Sequence, residues 1–485
     1  MKRTLLAFSL SVALALFTTP VNAQWHCLYA TWDDDATNIN AIGENATAVG
    51  VIAPDNFVAL VMTRGTRNYM IPYKNADSSQ GRLYTYGYGS GPTSNVYQLW
   101  TDGGFDQVQM QNAFKLTATS DGTIYVANND PEHNILVFKL QNDTIQAVAP
   151  FRRQPTGSNP IFGIEVDSSG YVYVCNDTTT GKTDDVKVYP PLAQWTDAHD
   201  NTPVAVIDLP DGIYKGITVS PDGHYVFVSD YGNRKILKYV GSHLSGYTAA
   251  TGFNFSLGAA DTIAGTTTLP SVLGLAYKSP NNILFAASEW WLGGGTAYSY
   301  GRIYLINAGT GALASTDSSV SVIDVAKWNF DQTGGYNLRS GGTVPGNASG
   351  YTSTYDVELD KNGNVYSQSH YGWTVEKWAF TGTLPVLTGV EEVHETIPSG
   401  FHLSQNYPNP FNPSTLISFQ VPVSGNVSVK VFDLLGREVA LLVDEFKNAG
   451  SYRVTFDAGN LPAGAYFCTL RAGSFSETVK MILLK

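Results

Sequence analysis

Gly216-Ile-Thr-Val-Ser-Pro-Asp-Gly-His-Tyr-Val-Phe-Val-Ser-Asp230 decides the architecture of this chain. Two alternating apolar runs flank the turn sequence Ser220-Pro-Asp-Gly223. Period-two alternation marks strands, and Pro, Asp and Gly supply the backbone angles of a tight turn. A third apolar run, Lys235–Tyr239, follows after a short polar loop. The unit reads as an antiparallel meander rather than a strand–helix crossover.

The unit recurs. Copies run Leu116–Asn128, Gly163–Asn176, Gly274–Ser288 and Tyr355–Ser369, with a weaker one at Ala48–Leu60. Third strands are expected at Ile135–Leu140, Asp185–Tyr189, Arg302–Ile306 and Thr374–Ala379, and fourth strands at Val204–Leu209 and Val320–Val325. Four strands per unit is the grammar of a propeller blade. The turn residues Asn56, Gly122, Gly170, Gly223, Asn282 and Gly363 lie 48 to 81 residues apart. This spacing predicts an all-β fold with a six-bladed propeller over residues 24–380, the widest gap leaving room for a seventh blade. A parallel β-helix competes, but irregular spacing and the hairpin pattern speak against it. Residues 216–240 resemble the NHL-type repeats of six-bladed propellers. That resemblance covers single blades and is weakest at 48–72; it implies the fold and selects no function.

Composition points outward from the cell. Charged residues are 14% of the 485, below the roughly 25% of ordinary globular proteins, while 43% hydrophobic content suffices for a large core. There are 29 Lys/Arg against 41 Asp/Glu, the acidic excess lying in residues 24–380. Such a surface repels phosphate backbones and excludes nucleic acid as a partner. Residues 1–23 have a basic start at Lys2-Arg3, an apolar stretch Thr4–Phe17 and the small-x-small site Val21-Asn22-Ala23. They read as a signal peptide for the Sec translocon and signal peptidase, cut before Gln24. No later stretch reaches 18 apolar residues, so no transmembrane segment is expected in the mature chain. Cys27, Cys175 and Cys468 make no metal or haem motif; a Cys27–Cys175 bridge and three separate thiols both stay open.

The C-terminal segment 401–485 begins Phe401-His-Leu-Ser-Gln-Asn-Tyr-Pro-Asn-Pro-Phe-Asn-Pro413. Alternating strands follow at Thr415–Val421, Val427–Asp433, Glu438–Val443, Gly450–Phe456 and Gly464–Arg471, with Gly436 and Gly473 at turns. About 85 residues in this pattern predict a small Ig-like β-sandwich. Residues 381–400, with Pro385, Pro398 and Glu391, Glu392 and Glu395, read as a linker.

Four runs occur in order: Tyr407-Pro408-Asn409-Pro410-Phe411-Asn412-Pro413; VFDLLGREV with Gly436 and Arg437; LPAGAYF with Gly464; and KMILLK from Lys480. Together they resemble the type A C-terminal sorting domain of the bacterial type IX secretion system. The resemblance implies passage across both membranes with the type IX machinery as partner, then removal of the domain and surface attachment or release. It also implies a host of the Bacteroidetes–Chlorobi kind.

Candidate chemistry lies on the propeller. Second strands end at Asn128, Asn176, Asp230, Ser288 and Ser369, followed by Asn129, Asp177, Tyr231, Glu289 and His370 on one shared face. Glu165 and Glu358 share a register on the innermost strands. Glu165, Asn176, Asp230 and Glu358 would suit a divalent cation such as calcium, which takes oxygen ligands. Strand-end Asp and Asn also cap their own turns, which is the plainer reading. The aromatic loops carrying Glu289, Trp290 and Trp291, and His370, Tyr371 and Trp373, would stack on a glycan or grip a peptide. No GxSxG, HExxH or Walker motif is present. The leading expectation is a secreted or surface binding module for polysaccharide, peptide or an envelope partner. The alternative is a metal-dependent hydrolase or lactonase-like enzyme.

Overall fold

The computed structural model describes residues 24–30, 46–62, 68–74, 96–101, 104–110, 113–128, 134–141, 144–147, 161–176, 185–195, 202–258, 270–279, 281–289, 301–328, 354–369, 374–387, 391–393, 400–423, 425–447, 450–473 and 475–484. Residues 1–23, expected to be a signal peptide, lie outside them.

Six antiparallel sheets of three to five strands form the blades, and a separate hairpin, Val96–Thr101 with Gly104–Gln109, lies between the first and second in sequence. Their innermost strands are Ala46–Ala53, Lys115–Ala118, Ile161–Val166, Tyr214–Val219, Ser271–Lys278 and Thr354–Leu359. Each inner strand packs against the next, and the last packs against the first. The ring is closed at six blades. Ser271–Lys278 and Thr354–Leu359 are direct neighbours in the ring, so among the described residues no further inner strand stands between them.

The ring closes with a strand the repeat pattern did not show. Gln24–Ala30 pairs antiparallel with Thr374–Thr381, Gln24 opposite Thr381, and becomes the outer strand of the sixth blade. Trp25 anchors it, packing against Phe380 and Phe285 and donating its indole N–H to the Val320 carbonyl at 3.1 Å.

The turns that defined the repeat explain its spelling. Asp167 Oδ1 accepts from Ser169 N and Tyr171 N, and Asp360 Oδ1 from Asn362 N and Asn364 N. These Asx turns leave Gly170 and Gly363 in the left-handed region, which a side chain resists. In the first blade the left-handed residue is Asp55, at φ 63°, not the expected Asn56. The central aromatics Phe57, Tyr125, Tyr173, Phe227, Phe285 and Tyr366 are all buried. A Cβ on Gly216 would stand 2.0 Å from the Leu273 carbonyl oxygen, so glycine there lets two inner strands approach.

The C-terminal segment folds as two four-stranded sheets face to face. Val427, Val429 and Val431 of one sheet meet Ile417, Phe419 and Val421 of the other in one core. The proposed linker 381–400 needs correction. Leu384 is buried, the Leu387 amide donates to the Asn281 carbonyl at 3.0 Å, and Glu391–Val393 form an edge strand on Gly450–Asp457. Its first part is docked on the propeller and its middle belongs to the sandwich. All three cysteines are free thiols, Cys175 and Cys468 buried. No helix among the described residues is long and apolar enough to cross a membrane.

Candidate functional site

Antiparallel order gives the propeller two faces: one carries the turns between inner and second strands, the other the loops after the second strands. The central channel opens on the turn face as a cup of about 640 Å³. Glu165 and Glu358 line it, with Asp167, Tyr125, Tyr277 and Ser168 nearer the rim. The shared register of the two glutamates, read from sequence, places both in this cup.

One layer deeper lie Lys115 and Asp356, both buried. The Lys115 ammonium donates to Asp356 Oδ1 and lies 3.4 Å from Glu358 Oε1. Asp356 Oδ2 also accepts from the Val49 amide at 3.0 Å, tying the sixth blade to the first. Thr117 donates to Glu165 at 2.8 Å. Burial pushes the carboxyls of Asp356, Glu165 and Glu358 above their ordinary values, Lys115 pulling each back. Burial opposes the Lys115 charge, yet Asp356 and Glu358 outweigh it and hold the ammonium above the usual lysine value. One ammonium faces three carboxyl groups, so burial and mutual crowding favour the protonated form of those Lys115 does not pair, and a second cation entering the layer would favour their ionised form.

Lys115 and Asp356 escaped the sequence reading. Asp356 and Lys115 stand at the register where three other blades have Gly163, Gly216 and Gly274. Those two departures were the available signal. Beyond this pair, Phe114 packs on Phe162 and Tyr355, and the Lys215 ammonium lies 3.1 Å from the Phe162 ring centroid. These residues begin the inner strands and form an aromatic collar on the loop face.

The four expected metal ligands do not gather. Among the described residues no group of three or more His, Cys, Asp and Glu is placed to hold a metal ion. Asp230 is fully buried and caps its own loop, accepting from Asn233 N at 3.0 Å and Asn233 Nδ2 at 2.8 Å. Asn176 ends its strand opposite Ile161, whereas Glu165 pairs with Tyr173 at the far end. The plainer turn-capping reading holds for Asp230.

Of the loop-face residues, Glu289 is described. It ends its strand buried, accepts from Tyr231 Oη at 2.8 Å, and its Oε2 has no partner among the described residues. Burial raises its carboxyl to about 7, against the opposing Tyr231 hydrogen bond. Trp290, Trp291, His370, Tyr371 and Trp373 lie outside the described residues.

The tail motifs knit the sandwich. Asn409 Nδ2 donates to the Lys480 carbonyl at 3.1 Å and Asn409 Oδ1 accepts from Ile482 N at 2.8 Å. Phe411 is buried and exchanges backbone hydrogen bonds with Ile482 and Leu484. The first and last runs are therefore one structural unit. Pro408 accepts from Thr415 Oγ1, and Tyr407, flanking it, pairs its backbone with Leu416. The peptide bonds before Pro408 and Pro410 are cis. Pro413, past Asn412, accepts from the Ala458 amide. Gly436 is left-handed at φ 76°, and Arg437 is held 2.7 Å from Asp433 across that turn.

These features define the class: an all-β chain with a six-bladed propeller and an export tail. Residues 405–484 match the family model described as secretion system C-terminal sorting domain, and this tail is a type IX sorting domain. No curated protein matches the chain. Among solved structures it is similar to a structural genomics protein of unknown function from Bacteroides thetaiotaomicron, at TM-score 0.42 and 11% identity over 70% of each chain. It is also similar to an auxiliary nutrient binding protein of that organism, at TM-score 0.40 and 10% identity over 70% of each chain. The Myceliophteria thermophila Cps50 (Swd1) β-propeller domain scores 0.38 at 9% identity, covering 70% of this chain and 98% of that one. At such scores the fold rests on the strand pairings described above.

Proposed function

We propose that this chain is an exported binding module whose propeller receives a basic group, an amine or guanidinium of a peptide ligand, in the turn-face cup. The surplus of carboxylates over cations between Glu165, Glu358, Asp356 and Lys115 carries this reading. A cation entering the cup meets carboxyls that lack a cation of their own and draws them into the ionised form, while the Ser, Thr and Tyr oxygens near the rim accept its remaining hydrogen bonds. A neutral glycan would draw on the hydroxyls alone and leave the charge unmatched.

The test is calorimetric titration of the chain from Gln24 with short Lys- and Arg-containing peptides beside neutral oligosaccharides. Glu165→Gln/Glu358→Gln should weaken peptide binding about tenfold or more, by removing both charges. Equal binding by the double variant, or a preference for neutral sugars, would overturn the reading. The described strands Ile283–Glu289 and Val365–Ser369 end on the opposite face, so replacing Trp290, Trp291 or Trp373, which follow them in sequence, should leave titration at the cup unchanged.

A further inference from the structure

The chain leaves the propeller beside the cup. Leu387 N donates to the Asn281 carbonyl, Asn282 Nδ2 donates to the Leu387 carbonyl at 3.3 Å, and Asn281 Nδ2 to the Pro385 carbonyl at 3.4 Å. Asn281 and Asn282 form the turn of the fifth blade, on the turn face. Four residues later, Glu391 is already in the sandwich, paired with Arg453. Four extended residues reach about 14 Å at most. The sorting domain is thus held against the face on which the channel opens.

Contacts agree with the tether. Arg453, the strand partner of Glu391, lies 3.6 Å from Asp222 in the turn of the fourth blade. A cleft of about 480 Å³ separates that turn from Tyr407, Pro408 and Pro413 of the tail. Pro221 and Tyr277 line both this cleft and the channel cup. His224 lies in the same turn; burial first, and then the nearby Arg453 charge, disfavour its protonated form.

We propose that the propeller's turn face is a docking surface for the chain's own sorting domain, and that the docked domain restricts access to the channel cup until it is removed. The proposal rests on the cup as the ligand site, but its test needs no ligand. Pro221→Cys places a reporter thiol on the shared wall, with Ser169→Cys on the adjacent turn of the third blade, beside Ser168 whose amide donates to the Pro221 carbonyl, as a second reporter should the first disturb its turn. A protease site inserted between Leu387 and Glu391 allows the folded chain to be cut. Labelling with N-ethylmaleimide and with a maleimide bearing a polyethylene glycol chain is followed by peptide mass spectrometry, which separates the reporter from Cys27.

The polyethylene glycol reagent should react about tenfold faster after the cut, with little change for the small reagent. Arg453→Asp should accelerate labelling of the uncut chain, and Arg453→Asp/Asp222→Arg should slow it again by restoring the pair. Equal rates before and after the cut, or a charge swap that restores nothing, would overturn the docking. Peptide binding without a change in labelling would sink the gate and keep the cup. A gate without peptide binding by the cut chain would sink the ligand reading alone.

Discussion

Glu358 shows what the channel costs. Its carboxyl is half-buried beside Glu165 and Asp356, with Lys115 shared among them. Its folded-state affinity for protons exceeds that of the unfolded chain, so stability rises as pH falls through the interval between the two values. Glu358→Gln should therefore stabilise the protein at about pH 8 by on the order of 1 kcal/mol, and change little near pH 4, where glutamate is largely protonated even unfolded. Urea titration at both pH values checks this; destabilisation at the higher pH would mean that Lys115 needs the charge. A side chain that weakens the fold and is kept in an open cup belongs to a site rather than to a core. The residue scale also divides the tail motifs. Tyr466 in LPAGAYF donates its hydroxyl to the Pro462 carbonyl at 2.7 Å. Tyr214 does the same to Pro210 at 2.6 Å, in the propeller run Leu209-Pro-Asp-Gly-Ile-Tyr214. This corner starts a strand in either domain, so its place in the motif is accounted for by folding. Leu434 and Leu435, exposed at the Gly436 turn, are not.

At the scale of elements, the first strand carries the largest stake. Trp25 fastens Gln24–Ala30 to the fifth and sixth blades, and Trp25→Ala should cost about 3 kcal/mol by loss of that packing and its hydrogen bond. An unchanged urea midpoint would show that ring closure does not depend on this strand. Blade strands were legible because each needs only a local signal: alternation, an Asx turn and a central aromatic. Gln24–Ala30 was not, because it has no turn of its own and its partner lies over 340 residues away. Glu165 and Glu358 were legible as a pair through the repeat register. Lys115 and Asp356 become a pair only when the first inner strand brings the second and sixth blades around one axis. Asp230 stayed open between two readings for a physical reason: an acid at a strand end is spelled alike whether it binds a cation or caps a loop.

For the whole molecule, the tail decides destination and the propeller decides purpose. Deleting Phe401–Lys485 should leave the propeller folded but retained in the periplasm, assayed by fractionating the producing cells. Appearance of the truncated chain at the surface or in the medium would contradict the sorting role of residues 405–484. The sandwich core is built within those last 85 residues, so the truncation removes that core and leaves its edge strand Glu391–Val393 on the propeller side of the cut.

Pairing the first strand with the last has a consequence for timing. Thr374–Thr381 must exist before Gln24–Ala30 can find its place, so the ring stays unlatched until nearly the whole propeller has been synthesised. Loop closure over so long a span is slow to search, though its entropy grows only with the logarithm of length. Each blade has its hairpins early; none of them can seal the circle. A chain destined to thread through a membrane gains from such a delay, since an open arc is still pliable and a closed ring is not.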